Sequence, residues 1–233
     1  MKNFKFLLFL LLYAFVFSCK QDNAKLENEQ DIRIYHQAIK FGDIGTATYA
    51  IHSLLSRDTS QYKYYDTLST LYFQSNNYPQ AIQAAQHVLE HDTNNLKMVE
   101  VSARAYQAIG RFDMALPFFS RVAILGSNPE AMYQVGVCQF YMQKFDEAES
   151  TVSKVIADPK ATETELIIGF SNNSQQQQVP LVAAAYNMLG SIKFQQGNTA
   201  EAKTNFIKSL TLFPEFALPK ENLEKLKRGR SDS

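Results

Sequence analysis

The chain has no tryptophan, only two cysteines and no net charge. Cys19 and Cys138 cannot form a disulfide framework, which excludes the small disulfide-stabilised domains. The 23 basic residues are balanced by 23 acidic ones, so the basic surplus of a nucleic-acid-binding protein is absent. A hydrophobic content of 45% over 233 residues is typical of an ordinary folded protein.

Sequence motifs for catalysis are also absent. The chain contains no G-x-S-x-G motif, no phosphate-binding glycine loop and no pair of carboxylates placed for acid–base catalysis. One string has the spacing of a metal site, because His87, Glu90 and His91 read H-x-x-E-H as in inverted zincins. Two imidazoles do not complete a zinc site, and a third ligand would have to come from elsewhere. We expect no catalytic residue, no metal and no cofactor, and keep a zinc hydrolase through His87 and His91 as an alternative.

The apolar run at the N-terminus, residues 6–17, is shorter than the roughly 20 residues that cross a bilayer. It has the length of a signal-peptide core, follows Lys2 and Lys5, and leads into Ser18 and Cys19, so that the chain reads Val16-Phe17-Ser18-Cys19 at its end. This N-terminus resembles a bacterial lipoprotein signal peptide, although Phe17 is bulkier than the usual residue there. The resemblance implies cleavage before Cys19, a diacylglycerol thioether on Cys19 and an acyl chain such as palmitate on the new amine. An ordinary signal peptide and an uncleaved anchor remain alternatives.

The predicted lipoprotein has a signal peptide at residues 1–18 and a lipid-anchored flexible tether at residues 19–27. Residues 20–28 are almost all polar, which is typical of a linker. No aspartate directly follows Cys19, since Asp22 lies three residues further on. By resemblance to lipoprotein sorting in enteric bacteria, this favours the outer membrane of the cell envelope over the inner membrane.

Small residues recur in the remainder of the chain at a nearly constant interval. Alanine occurs at intervals of 34, 34 and 33 residues and returns once more after an interruption: Ala47, Ala81, Ala115, Ala148 and Ala202. A period of this length indicates a repeat architecture in which each unit is one supersecondary element.

The repeats carry further positions of a known pattern. Leu189-Gly190, Ala202-x-x-x-Phe206 and Pro214 follow the order L-G, A-x3-F and P. The chain therefore resembles the tetratricopeptide repeat family, whose pattern has that order over 34 residues, although its first tryptophan is absent. The resemblance implies an all-α fold, a right-handed α-α superhelix of about five helix pairs with a C-terminal capping helix.

On this resemblance we predict a solenoid over residues 28–228 and a disordered tail over residues 229–233. Its repeats cover residues 28–61, 62–95, 96–128, 129–160 and 183–216. The insertion, residues 161–182, contains the polar tract of residues 171–178. We expect a surface loop there, with a short helix at residues 164–170. The alternative is a flap over the groove or a partner contact formed by Leu166, Ile167, Ile168 and Phe170.

Residues suited to helix ends lie at regular places before the second helix of each pair. Glycine or asparagine, which tolerate a positive φ, lies five residues before four of the repeated alanines: Gly42, Asn76, Gly110 and Gly197. Aspartates that can cap the second helix follow in three repeats: Asp43, Asp113 and Asp146. Pro79 and Pro180 suit the first turn of a helix, and Pro117 should be tolerated early in its helix.

Tetratricopeptide proteins line a concave groove with their first helices and bind a peptide there. Carried over by position, this predicts a partner-binding groove that begins at His36 and Lys40. Its main residues are Asp66, Thr70, Phe73, Glu100, Arg104, Gln107, Tyr133, Val137, Phe140, Tyr141, Asn187, Ser191 and Phe194.

The resemblances predict a membrane-anchored, non-catalytic scaffold that binds another protein or peptide in the bacterial cell envelope. We expect no nucleic acid and no small-molecule substrate. Asp66 and Glu100 have the wrong charge for the clamp by which chaperone-binding relatives hold a C-terminal carboxylate. A glycan-binding surface lipoprotein that stacks sugars on Tyr133, Phe140 and Tyr141 is the remaining alternative.

Overall fold

The computed structural model describes the backbone of residues 25–170 and 173–231, with all their side chains except those of 170, 173–175 and 229–231. In these residues the chain forms eleven helices, one 3₁₀ turn and one hairpin. The helices are α1 (25–40), α2 (Ile44–Arg57), α3 (Tyr62–Gln74), α4 (Tyr78–His91), α5 (Leu96–Ala108), α6 (Phe112–Gly126), α7 (Pro129–Tyr141), α8 (Phe145–Ala157), α9 (Leu181–Gln195), α10 (Thr199–Leu212) and α11 (Ala217–Ser231). The 3₁₀ turn is Pro159–Glu163, and the strands are β1 (Glu165–Phe170) and β2 (Asn173–Pro180).

The chain divides into two compact units, Met1–Val101 and Ser102–Ser233. In the first unit, a cluster that includes Ala47, Leu54 and Leu68 packs α1, α2, α3 and α4 together. The buried hydroxyl of Ser69 in α3 donates to the carbonyl oxygen of Ala81 in α4 at 2.8 Å. This bond satisfies a buried polar group at the contact between the two helices of a pair.

In the second unit, consecutive helices also pack together, and one of its buried clusters joins residues of α7, α8 and α9. The ammonium group of Lys193 in α9 lies 2.7 Å from Glu149 in α8 and 3.1 Å from Glu201 in α10. Ser209 in α10 donates to the carbonyl of Ala183 in α9 at 2.7 Å, so a buried serine joins the two helices of a pair here too, this time from the second helix to the first. The same arrangement of two packed helices is thus repeated within the second unit.

The repeated alanines lie where the helices of a pair are closest. All five are fully buried: Ala47, Ala81, Ala115, Ala148 and Ala202. A side chain larger than a methyl group would not fit these contacts without moving a neighbour. The predicted all-α class built from consecutive helix pairs is confirmed, with the short hairpin as an addition.

The predicted helix ends have the left-handed backbone that glycine and asparagine tolerate. The φ angles are 71° at Gly42, 60° at Asn76, 75° at Gly110 and 82° at Gly197. Gln143 occupies the equivalent position of another repeat with φ of 60°, and its residue type did not indicate a helix end. The backbone position is therefore conserved among the repeats even where the residue is not a glycine.

The predicted capping aspartates have different roles. Asp43 caps α2 by accepting from the backbone N–H of Thr46 at 3.0 Å. Asp113 and Asp146 lie inside the first turns of α6 and α8, so the prediction that they cap is wrong. Asp113 binds the guanidinium of Arg111, and Asp146 accepts from the Gln196 amide at 3.0 Å.

The insertion folds as an antiparallel hairpin, so the prediction of a loop with a short helix at residues 164–170 is wrong. Glu165 pairs with Pro180 and Ile168 with Gln177, and an irregularity follows Gly169. The alternation of buried and exposed side chains along residues 166–168 explains why a strand forms. Leu166 is buried and Ile168 is half-buried against the core, while Ile167 faces solvent. Packing of that apolar face on the helices favours strand over helix here.

Several segment boundaries also differ from the predictions. Residues 25–27, predicted as the end of the tether, belong to α1, where Glu27 lies 3.8 Å from the guanidinium of Arg57. Residues 229–231, predicted as tail, belong to α11. Pro180 is the N-cap of α9 and not its first residue, whereas Pro79 lies in the first turn of α4 and α6 continues past Pro117.

The predictions for the signal peptide and for Cys19 lie outside the described residues. Among the helices that the structure does describe, none is both long and apolar enough to span a bilayer.

Candidate interaction groove

The second unit contains a cavity of about 650 Å³, which we call the groove. Its walls come from α7, α9, α11 and strand β1, with Arg104 of α5 at one edge. Helices of a stacked-pair fold expose one side of each first helix, and the groove lies along that side of α7 and α9. A concave surface of this size suits a ligand the size of a short peptide or small molecule.

Aromatic and aliphatic side chains of α7 form the floor of the groove. Tyr133 and Val137 are buried, and Phe140 is half-buried against Phe145. Tyr141 is 60% exposed, and its ring stacks on Phe112 with centroids 4.4 Å apart and planes at 9°. Burial raises the pKa of Tyr133 far above its ordinary value, so its hydroxyl stays protonated and can donate a hydrogen bond.

Polar side chains surround this apolar floor. Asn222 of α11 donates to the Asn187 side-chain oxygen of α9 at 3.1 Å, which joins the two helices beside the cavity. Arg104 and Glu130 form an ion pair at 2.8 Å. Their charges offset one another, so the pair fixes the rim and leaves little net charge there.

Strand β1 forms one wall of the groove through four successive residues, Glu165, Leu166, Ile167 and Ile168. Glu165 accepts a hydrogen bond from the side-chain amide of Gln178 on the neighbouring strand. Ile167 is 73% exposed, which is unusual for an isoleucine next to a buried core. This wall combines an exposed apolar side chain with a carboxylate.

Seven of the predicted groove residues line this cavity: Arg104, Tyr133, Val137, Phe140, Tyr141, Asn187 and Ser191. Phe194 lines a smaller neighbouring cavity of about 290 Å³ together with Phe140 and Ser191. Gln107 donates to Gln134, a lining residue, at 2.8 Å.

The other predicted groove residues belong to the first unit. Asp66 is ion-paired with Lys97, and Thr70 donates to the carbonyl of Asp66 at 3.0 Å. The ring of Phe73 packs edge-on against Tyr78, with centroids 5.5 Å apart. His36 and Lys40 are exposed on α1, and Glu100 is half-buried in α5.

Sequence reasoning missed six of the groove residues. Glu130, Gln134 and Met188 lie on first helices of the repeats, Glu165 lies on the hairpin, and Leu218 and Asn222 lie on α11. A signal for the hairpin was present, since Leu166, Ile167 and Ile168 form a short apolar run with two β-branched residues, which favours a strand. No signal in the sequence indicated that α11 would line the groove together with β1.

The histidines of the H-x-x-E-H string contact aromatic rings. His87 lies 4.5 Å from the Tyr65 ring and 3.8 Å from Glu90, and His91 lies 5.9 Å from the Tyr62 ring. Among the described residues, no cluster of three or more His, Cys, Asp or Glu side chains could hold a metal ion. Cys138 is fully buried, and burial raises the pKa of its thiol to about 12.

Two family models match the chain. The model of subunit 3 of the anaphase-promoting complex, or cyclosome, matches residues 74–155, and a tetratricopeptide repeat model matches residues 183–216. Together with the packed helix pairs, these matches support a tetratricopeptide repeat protein.

Individual proteins show the same likeness. A stretch of 76 residues is 28% identical to tetratricopeptide repeat protein 8 of Caenorhabditis elegans and covers 32% of this chain but only 15% of that protein. A tetratricopeptide repeat protein from Parabacteroides merdae superposes with a TM-score of 0.67 at 18% identity, over 86% of this chain and 72% of that one. YrrB, described as a TPR protein with an unusual peptide-binding site, gives 0.66 at 17% identity over 83% and 90%. At these identities the structures show the fold alone.

Proposed function

We propose that this chain is a non-catalytic scaffold that binds another protein in the bacterial cell envelope. The observation that carries the proposal is the groove, a cavity of about 650 Å³ with an apolar floor and a polar rim. Floors of this kind with aromatic side chains are typical of protein interfaces, and exposed aromatics are enriched there. The fold supports the proposal, because tetratricopeptide repeats serve as interaction scaffolds and YrrB is described as having a peptide-binding site.

A double variant tests the groove. Tyr141→Ala with Ile167→Ser removes two exposed apolar side chains from its lining without touching a fully buried residue. If the groove binds the partner, crosslinking and pull-down from native membranes should recover about tenfold less of each specific partner. Quantitative mass spectrometry of the captured proteins provides the measurement.

A matched control carries the same substitutions outside the groove. Tyr49 is 72% exposed on α2 and Ile124 is 73% exposed on α6, close to the 60% of Tyr141 and 73% of Ile167. Tyr49→Ala with Ile124→Ser should leave partner recovery unchanged. Equal losses for both double variants, or none for either, would show that the groove is not the binding surface.

We also propose that the chain is anchored by lipid at Cys19, with the outer membrane favoured over the inner membrane. Support comes from the sequence, in which two lysines, an apolar run and Val16-Phe17-Ser18-Cys19 follow one another. Two or more acyl chains suffice for stable membrane attachment.

Mass spectrometry of the mature N-terminus tests the anchor. It should find a chain that begins at Cys19 and carries acyl groups, and Cys19→Ser should release the protein from the membrane fraction. A mature chain that begins elsewhere, or a Cys19→Ser variant that stays with the membrane fraction, would contradict the proposal.

A further inference from the structure

The outer edge of β1 carries backbone groups that point away from β2. The N–H of Leu181 donates to the carbonyl of Thr164 at 2.8 Å, which extends the ladder by one hydrogen bond and marks 164 and 181 as a hydrogen-bonded position. In an antiparallel ladder such pairs alternate with pairs that are not hydrogen-bonded. With the register Glu165–Pro180, the non-bonded positions of β1 are Glu165, Ile167 and Gly169.

The position of Pro180 agrees with this assignment. Proline has no N–H to donate, and it lies opposite Glu165 at a position where none is needed within the hairpin. Glu165, Ile167 and Gly169 therefore direct both N–H and C=O outward. Within the described residues, no backbone hydrogen bond from outside the hairpin reaches these groups.

This edge faces the groove. Side chains of a strand alternate between its two faces, so a cavity beside only one face would contact every second residue. The groove instead contacts four successive residues, 165 to 168. Contact with successive residues from both faces is expected of a cavity that lies along the edge of the strand.

We propose that the groove binds an extended segment of another protein, which adds to β1 as a third strand. This inference rests on the proposed function and specifies how the partner binds. Main-chain hydrogen bonds to Glu165, Ile167 and Gly169 hold the segment, and pockets for alternate side chains select its sequence. An exposed strand edge with unpaired N–H and C=O groups is suited to such pairing.

The two faces of the added strand meet different surroundings. One face lies on the side of Leu166 and Ile168, above the floor of Val137 and Phe140, and therefore takes apolar side chains. The other face lies beside Ile167 and the carboxylate of Glu165. Arg104 is already paired with Glu130, whereas Glu165 has only the neutral amide of Gln178 as its described partner.

The segment is consequently a short one with apolar residues at alternate positions and a lysine or arginine opposite Glu165. Its length is limited by the cavity of about 650 Å³. A second copy of this chain, which could pair its own β1 edge to edge, is the competing occupant.

Selection from a random decapeptide display library identifies the bound sequences, with the full-length chain in mild detergent as bait. We expect peptides with alternate apolar residues and one basic residue. Addition of a selected peptide should protect the amides of Glu165, Ile167 and Gly169 in hydrogen-exchange NMR.

The deciding comparison is Ile167→Pro with Ile167→Val. Proline removes one outward N–H and places its ring at the edge, but it leaves every bond to β2 because position 167 is not hydrogen-bonded within the hairpin. We expect Ile167→Pro to weaken a selected peptide about tenfold and Ile167→Val by less than about twofold. Unchanged protection of the Gln177 and Val179 amides, which lie at hydrogen-bonded positions of the ladder, checks that the hairpin is intact in Ile167→Pro.

The outcomes separate this inference from the proposed function. If Tyr141→Ala weakens the peptide while Ile167→Pro behaves like Ile167→Val, strand addition is wrong and the groove still binds peptides. If neither variant has an effect, or no peptide is selected, both proposals are overturned. Concentration-dependent dimers in light scattering that Ile167→Pro abolishes would show that a second copy occupies the edge instead.

Discussion

Gly190 lies where α9 is closest to Phe206 of α10, and the fit there leaves no room for a Cβ atom. A Cβ atom at position 190 would lie 2.5 Å from Cε1 and 2.6 Å from Cδ1 of the Phe206 ring. Phe206 is almost fully buried, so its ring cannot move aside without disturbing Ala202 and Leu226 in the same cluster. The backbone at Gly190 is helical, a conformation that any residue can adopt. Glycine is therefore required there because a side chain has no space, and not because of its backbone conformation.

We predict that Gly190→Ala destabilises the protein. Overpacking of a core contact typically costs about 1–3 kcal/mol, and the better helix propensity of alanine offsets up to about 1 kcal/mol of this. The net loss should be about 1–2 kcal/mol in the free energy of unfolding, measured by urea denaturation.

Gly126→Ala is the control for this prediction. Gly126 is exposed at the end of α6, and a Cβ atom there would lie 3.7 Å from Asn128, an ordinary contact. That variant should be neutral or slightly more stable. A Gly190→Ala protein as stable as Gly126→Ala would show that Phe206 adapts.

Among the elements, the hairpin is held against the start of α11 by one side chain of β2. The Gln177 amide donates to the carbonyl of Glu215 at 2.7 Å, and its oxygen accepts from the N–H of Ala217 at 3.0 Å. Ala217 begins α11, so Gln177 satisfies a backbone donor that has no partner within the helix. Strand β1 of this hairpin and helix α11 both line the groove.

We predict that Gln177→Ala loosens the hairpin more than it affects the whole fold. Two hydrogen bonds are lost and the N–H of Ala217 is left unpaired, which costs about 1–3 kcal/mol. Hydrogen exchange at residues 165–180 should accelerate by at least about tenfold, while exchange in α7 should change little.

The neighbouring glutamine provides the control. Gln178 is exposed and contacts the side chain of Glu165 only within the hairpin. Gln178→Ala should leave exchange close to that of the unmodified protein. Equal acceleration in both variants would mean that the bonds of Gln177 to residues 215 and 217 do not hold the hairpin in place.

For the molecule as a whole, the perturbed ionisable groups define the pH range of stability. Burial acts to raise the pKa of Asp31, but the hydrogen bonds from Arg57 and Ser53 and the charge of Arg57 outweigh it and lower that pKa. Hydrogen bonds also lower the pKa values of Asp43, Asp58, Asp113 and Glu224. A carboxylate with a lowered folded pKa stabilises the fold above its unfolded pKa of about 4, and this contribution is lost as pH falls through the folded value.

At alkaline pH, stability is lost as pH rises, because the groups that titrate there have raised pKa values. Burial raises the pKa of the Cys138 thiol from 9.0 to about 12, and it also raises that of Tyr133. Hydrogen bonds with Glu149 and Glu201 raise the pKa of Lys193. Each of these groups contributes fully to stability below its unfolded pKa. The loss therefore begins near pH 9 for Cys138 and above about pH 10 for Tyr133 and Lys193.

We therefore predict a plateau of stability between about pH 5 and pH 8.5, with losses on both sides. Urea midpoints measured from pH 3 to pH 10 check this. Asp31→Asn should be less stable than the unmodified protein at pH 7 and should lose less on going to pH 3, because the titrating group has been removed. A stability maximum near pH 3, or an equal acid loss in Asp31→Asn, would contradict the assignment.

Sequence periodicity predicted the helical part of the fold because local rules govern it. Ala81 and Ala115 had to be small, and Gly42, Asn76 and Gly110 had to end helices, whatever surrounded them. The helix end at Gln143 was not predicted, because its positive φ is imposed by the repeat and not by the residue type. The groove could be predicted along α7 and α9, since Tyr133, Val137 and Asn187 occupy equivalent places on first helices.

The sequence by itself determined the class of the protein: helix pairs at an interval of 34 residues, with the crossing alanines buried. Only the tertiary structure decided that the insertion is a hairpin and that β1 and α11 line the groove. The reason is physical, because a strand gains its hydrogen bonds and buried face from segments distant in sequence, as Gln177 does from residues 215 and 217. A helix satisfies its backbone within a few residues, and its pattern can therefore be read along the chain.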